Sequence, residues 1–169
     1  MSTCSPQKVF TGLIRFREDI FCHQDTNEPV TGTFDQFHGN GQLECRKNFI
    51  DGKIEGLVEY FSENGQLEYR GNYKDGKEDG PYETFYENGQ LQERGNLKDG
   101  EQDGLLELFY ENGQFRYSVN YIGGKQDGLR ESFWDNGQLN SRGNFIDGEL
   151  DGLLERFDED GNLTKTETY

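Results

Sequence analysis

Short runs of alternating apolar and polar residues, broken by Gly, Asn and Asp, run along most of the chain. From Gly56 it reads GLVEYFSENGQLEYRGNYKDGKEDG. The alternation predicts one strand over about 57–62 and a second over about 66–73. Glu63-Asn64-Gly65 joins the two, and the stretch from Asp75 to Gly80 forms a second turn, because Asn, Asp and Gly accept the positive φ that such turns require. Gly at this spacing excludes a helix. Each unit is therefore one β-hairpin.

The hairpin recurs. Asn40, Asn64, Asn88, Asn112, Asn136 and Asp160 each precede a Gly, at a constant period of 24 residues. Self-similarity at fixed period marks an array in which each unit buries its apolar face against its neighbours. The fold expected is all-β, an elongated array of stacked antiparallel β-hairpins. Units begin at Gly32, Gly56, Gly80, Gly104, Gly128 and Gly152, so residues 32–169 hold six repeats with the last truncated. Residues 1–31 fit the register poorly and form an atypical N-terminal cap.

Two registers are open within the hairpin. A two-residue Asn-Gly loop pairs Glu59 with Arg70, a ladder of opposite charges. A three-residue loop followed by a Gly bulge sets Phe61 opposite Leu67 and Leu57 opposite Gly71, which keeps the apolar positions on one side. The second is preferred, since a one-residue slip exchanges the faces of the sheet.

Comparing equivalent positions between units separates constant columns from variable ones. Phe37, Phe61, Phe85, Phe109, Phe133 and Phe157 form one constant column. Leu43, Leu67, Leu91, Phe115, Leu139 and Leu163 form another, and together they are expected to be the stacked core. Asn48, Asn72, Asn96, Asn120 and Asn144 are expected to bond backbone groups at a strand end. The column Asp35, Glu59, Glu83, Glu107, Glu131, Glu155 pairs naturally with Arg46, Arg70, Arg94 and Arg142. Catalysis by these acids is disfavoured, because it needs two carboxylates in different environments and a repeat places them all alike.

Variable columns alternate with the Phe column and are expected to be released from packing. One holds Tyr82 and Arg130, and another holds Tyr86, Tyr110 and Trp134 in consecutive units. Tyr and Trp dominate binding energy at interfaces, so a contact row centred on these three is the candidate partner-binding surface, with a second core face as the alternative. The fourth unit also departs from pattern. Ser118-Val119 replaces Arg-Gly and Gly123 replaces the turn Asp, beside Phe115 and Tyr117, which join the candidate contact residues.

Composition narrows the function. Only 31% of residues are hydrophobic and the formal charge is −16, a pairing close to that of disordered chains, but 23 Gly, 13 Phe, 9 Tyr and 1 Trp supply turns and large apolar side chains. With 33 acids against 17 spread-out bases, phosphate backbones and anionic membranes are disfavoured partners. Cys4, Cys22 and Cys45 form no metal or disulfide pattern, and free thiols are expected. His23 and His38 are the only histidines, no phosphate loop is present, and Lys77 sits where a calcium loop needs an oxygen. No catalytic residue, cofactor or metal is expected. The first 25 residues lack the pattern of a secretory signal, so a cytoplasmic location is expected.

The stretch YENGQLQERGNLKDGEQDG, from Tyr86 to Gly104, resembles the variant MORN repeat of bacterial proteins, and the likeness covers residues 32–169. The resemblance implies an antitoxin or immunity protein that neutralises a secreted toxin by binding it in the cytoplasm. On that reading the partner is a protein, a cognate toxin or effector domain, and the chain is a monomer. A structural scaffold or assembly module is the alternative, because hairpin edges can pair with other strands.

Overall fold

A computed structural model describes residues 9–10, 14–17 and 19–169. The chain divides into two compact units, residues 1–78 and 79–169. Cys4 lies outside the described residues. Every described element is a strand or a turn.

In the first unit, strands Gly32–Phe37, Leu43–Ile50, Gly56–Phe61 and Leu67–Lys74 follow one another antiparallel, and Val9–Phe10 pairs parallel with Gly32–Phe37. The N-terminal hairpin Ile14–Arg17 and Ile20–His23 forms its own two-stranded sheet. It is tied to the repeats by a backbone bond from Phe21 N to Gly52 O (2.7 Å), and Val30, whose N donates to Phe21 O (3.0 Å), accepts from Gly52 N (2.8 Å). Phe21 meets Phe49 edge-on at 5.2 Å, and Cys22, Val30, Cys45 and Phe49 are buried. Cys22 and Cys45 are free thiols, as expected.

In the second unit, strands Leu91–Lys98, Gly104–Phe109, Phe115–Ile122, Gly128–Phe133, Leu139–Ile146, Glu149–Phe157 and Leu163–Thr168 follow antiparallel after Lys77–Phe85. Hairpins on a 24-residue period, with each apolar row laid on the next, are thus the architecture of both units.

Turn chemistry explains the loops. At the Asn-Gly turns the amide before the loop bonds the carbonyl after it, Ser62 N to Gln66 O at 2.9 Å and Tyr110 N to Gln114 O at 2.8 Å. The loop is the preferred three-residue one, with Gly65 and Gly113 at φ 81° and 80°. At the opposite turns two successive residues take positive φ, Asp75 and Gly76 at 52° and 85°, Asp99 and Gly100 at 54° and 88°. Gly123 in the fourth unit takes φ 55°, the same left-handed conformation, so this departure keeps the turn intact.

The register beyond the turn corrects the preferred reading. Phe61 pairs with Leu67 as the three-residue loop requires, but a bulge follows and Tyr60 pairs with Tyr69, Glu59 with Arg70, and Leu57 with Asn72 in place of Gly71. The extra residue is Glu68. Both registers coexist in one hairpin: apolar pairing at the turn, then the charge ladder. The same bulge recurs in other hairpins and makes Arg116 and Asn140 the extra residues.

The ladder itself is built as expected. Arg46 grips Asp35 through two bonds of 2.8 and 2.7 Å, and Arg142 Nε reaches Glu155 at 2.6 Å. Asn48 Nδ2 donates to Leu57 O at 3.0 Å and Asn96 Nδ2 to Asp103 O at 3.1 Å, the strand-end role assigned to that column.

The core face is the second correction. The constant Phe and Leu columns are half-buried, and Phe37 and Leu163 are 48% and 53% exposed. A column read as released from packing supplies buried side chains instead: Val58 at 0%, Tyr82 at 7% and Leu106 at 8% exposed. Glycine across the strand pair lets side chains of different size occupy this column. Val58 faces Gly71, Tyr82 faces Gly95 and Arg130 faces Gly143, whereas Leu106 faces Val119, itself 0% exposed. A Cβ on Gly71 would collide with the Tyr69 hydroxyl, and one on Gly95 would stand 2.9 Å from the Tyr82 ring. The Ser118-Val119 departure therefore fills space that a tyrosine fills elsewhere.

Candidate binding pocket

Strand pairing sets Leu106, Leu108 and Tyr110 on the same face as Arg130, Ser132 and Trp134, because Tyr117 pairs with both Leu108 and Ser132. Bulges turn two further side chains onto it, Arg116 beside Tyr117 and Asn140 beside Ser141. The result is an open cavity of about 420 Å³ in the second unit. Its aromatic wall is Tyr110, Tyr117 and Trp134, its cations are Arg116 and Arg130, and Leu108, Ser132, Phe133 and Asn140 complete the lining.

Most of the lining is held in place. Tyr110 Oη donates to Phe133 O at 2.8 Å and Trp134 Nε1 to Phe157 O at 3.2 Å, each reaching 23 residues ahead into the next repeat. Tyr86 Oη does the same to Phe109 O at 2.8 Å. Ser132 Oγ bonds Asn140 Oδ1 at 3.0 Å and Ser141 Oγ at 2.7 Å. Below this row, Asn88, Asn112 and Asn136 donate to the carbonyls of Glu111, Asp135 and Glu159. Tyr86, Tyr110 and Trp134 therefore form the expected row, but their polar ends staple consecutive repeats and leave only ring surface for contact.

The two guanidiniums lie against rings. Arg130 sits over Tyr117 at 5.0 Å and over Phe145 at 5.5 Å, and Arg116 over Tyr110 at 5.5 Å. Among the described residues neither has a carboxylate within ion-pairing distance, whereas Arg46, Arg94, Arg142 and Arg156 each do. Burial pushes the Tyr117 hydroxyl pKa up, and the Arg130 charge pulls it partly back.

Of the sequence-predicted residues, the structure gathers Tyr110, Tyr117, Arg130 and Trp134 around the cavity. It leaves three elsewhere. Tyr86 lies in the same row outside the lining. Phe115 is on the opposite face, in ring contact with Phe109 at 5.4 Å and Phe133 at 5.3 Å. Tyr82 is in the core, its hydroxyl donating to Glu93 and accepting from Gln102 Nε2 at 2.5 Å, so its reading as a surface residue is corrected. Arg116 and Asn140 were not anticipated. Their column reads Glu44, Glu68, Gln92, Arg116, Asn140, Thr164, and its change from acid to base was the available signal.

No group of three or more His, Cys, Asp or Glu side chains among the described residues is arranged to hold a metal ion. The family model described as the MORN repeat variant matches residues 54–75, 78–99, 102–122, 126–147 and 150–169, more than half of the chain. No curated protein matches. Among solved structures, a crystal structure of a mutant of S. aureus TarM in complex with Fondaparinux, alpha-GlcNAc-glycerol and UDP is 14% identical with a TM-score of 0.36, covering 57% of this chain and 19% of that one. That likeness is too slight to bear on function.

Proposed function

The chain belongs to the MORN repeat variant family, whose repeats are commonly protein-binding or scaffold modules, and we propose that it is a non-catalytic binding protein that neutralises a cognate toxin. It acts as a cytoplasmic immunity protein and monomer, laying the cavity-bearing face of its second unit against the toxin. One observation carries this reading: Tyr110, Tyr117, Trp134 and Arg130 converge on one concavity whose backbone is fixed by repeat-to-repeat bonds. Preorganised aromatic and arginine groups in a concave site are the usual anchors of protein recognition. The formal charge of −16 supports a basic toxin surface as the wider target, since opposite charge steers encounter. It also disfavours nucleic acid and anionic membrane as partners. Asp35, Glu107 and Glu155 of the ladder are each engaged by an arginine, which supports a structural role for that column.

The test is co-expression with a toxin-like gene neighbouring its own, followed by purification of the pair. Protection together with a one-to-one complex is expected. Protection without stable association rejects neutralisation by binding.

A scaffold or assembly module is the second reading, favoured by an exposed apolar row on the opposite face of the second unit. Leu105, Leu129 and Leu153 are 52%, 54% and 56% exposed there. Polymers that grow with concentration in size-exclusion chromatography would select it over the immunity reading.

A further inference from the structure

Arg130 occupies a core position. Its equivalents are Phe34, Val58, Tyr82, Leu106 and Leu154, three of them buried, so a guanidinium here gives up apolar packing that the other repeats keep. Across the strand pair it faces Gly143, which offers no side chain to pack against. Arg116 approaches the same cavity from the bulge. A chain with 33 acids could close an ion pair on either, as it does on Arg46, Arg94, Arg142 and Arg156, yet among the described residues both lie over rings and beside no carboxylate. A guanidinium stacked on a ring keeps its in-plane N–H donors free, and that fork matches a carboxylate in two parallel bonds.

We infer that this cavity is a carboxylate-binding site that takes an acidic side chain from a segment of the partner protein, with Arg116 and Arg130 as the two forks and Tyr110, Tyr117 and Trp134 as the walls. The inference rests on the binding-protein reading above and adds the chemistry of the contact. The cavity lining contains no acid, so a single carboxylate enters without local repulsion. An extended polyphosphate would meet the rest of the −16 surface.

Trp134 is the single Trp of the chain and lines the cavity, so its emission reports occupancy. The full chain is titrated with the blocked peptide acetyl-Gly-Glu-Glu-Gly-amide and with its Gln-Gln twin, by fluorescence and by calorimetry. Inorganic phosphate and a ten-residue oligothymidine are run as separate arms. The acidic peptide is expected to saturate the signal, its Gln twin to bind at least tenfold more weakly, and Arg116→Gln with Arg130→Gln to cost at least tenfold while the circular-dichroism melt stays cooperative. Arg130→Lys, which keeps charge but loses the fork, is expected to fall between and covers the case in which Arg130→Gln fails to fold.

Equal binding of the Gln twin, an unchanged titration in the variants, tighter binding of phosphate or oligothymidine, or neither heat nor emission change with the acidic peptide each overturns the site. A one-to-one toxin complex that forms at undiminished affinity with the double variant also overturns it and leaves the binding-protein reading standing. A peptide titration that behaves as expected in a chain that captures no toxin does the reverse.

Discussion

The repeat at Gly56–Glu78 and the pair of repeats around the cavity use equivalent positions for opposite electrostatics. In the first, Tyr69 Oη donates to Glu78 Oε1 at 2.5 Å and Tyr73 Oη to the same oxygen at 3.2 Å, with Gly71 between them keeping the space clear. A carboxylate is the hub and two hydroxyls satisfy it. In the second, Gln126 Nε2 stands where Glu78 does, 3.4 Å from Tyr117 Oη and 3.2 Å from Tyr121 Oη, and the charge on that face is a guanidinium over the Tyr117 ring. The first arrangement is closed on itself. The second leaves a cation without its counter-charge, which shows that a constant backbone can carry either a finished core or an unfinished one.

Exchanging the space-filling residues should break the comparison most strongly. Gly71→Val copies Val119 into a site where even a Cβ would collide with Tyr69 Oη, and about 3 kcal/mol of stability should be lost in urea unfolding. The reciprocal Val119→Gly empties a fully buried position opposite Leu106 and should cost about 2 kcal/mol by the same measurement. Equal costs for the two would mean that the regions pack alike.

Tyr69→Phe removes one of the two donors to Glu78 and should cost about 1.5 kcal/mol, the loss expected for a bond to a charged acceptor. The smallest change, Arg130→Leu, restores the apolar column and should raise stability by about 1 kcal/mol, since an unpaired guanidinium gives way to packed methyls. A fall in melting temperature would instead assign Arg130 a structural duty.

Alkaline pH sharpens the contrast. Burial and the Glu78 charge push the Tyr73 hydroxyl up to about 12, and burial with the Glu78 bond raises Tyr69 as well. Both groups stay protonated in the folded chain at a pH where the unfolded chain, with a value of 10.0, has begun to ionise. The folded state then holds more protons, so stability present below pH 10 declines as the pH rises through about 12. Thermal melts across that window should fall less steeply in Tyr69→Phe with Tyr73→Phe than in the natural chain.

Hairpins, period, turn types and the charge ladder were legible because each is local. Asp75-Gly76 and Asn64-Gly65 declare their turns through φ alone, and the alternation of side chains follows from the strand. The site was half legible. Tyr110, Trp134, Arg130 and Tyr117 stood out as variable positions, whereas Arg116 and Asn140 were hidden by a bulge that the assumption of one uniform register could not produce. Constancy was also misread as burial. Phe37 and Leu163 repeat faithfully and stay exposed, while Val58, Tyr82 and Leu106 vary and are buried.

The amino-acid order by itself determined that this chain folds as a 24-residue series of hairpins, since turn conformations and strand alternation are settled within a few bonds of each residue. Which face became the core, and which arginines were left without an acid, only the tertiary structure decided. Both depend on the strand lying alongside and on the one-residue shift of a bulge, and these are relations between residues distant in the chain.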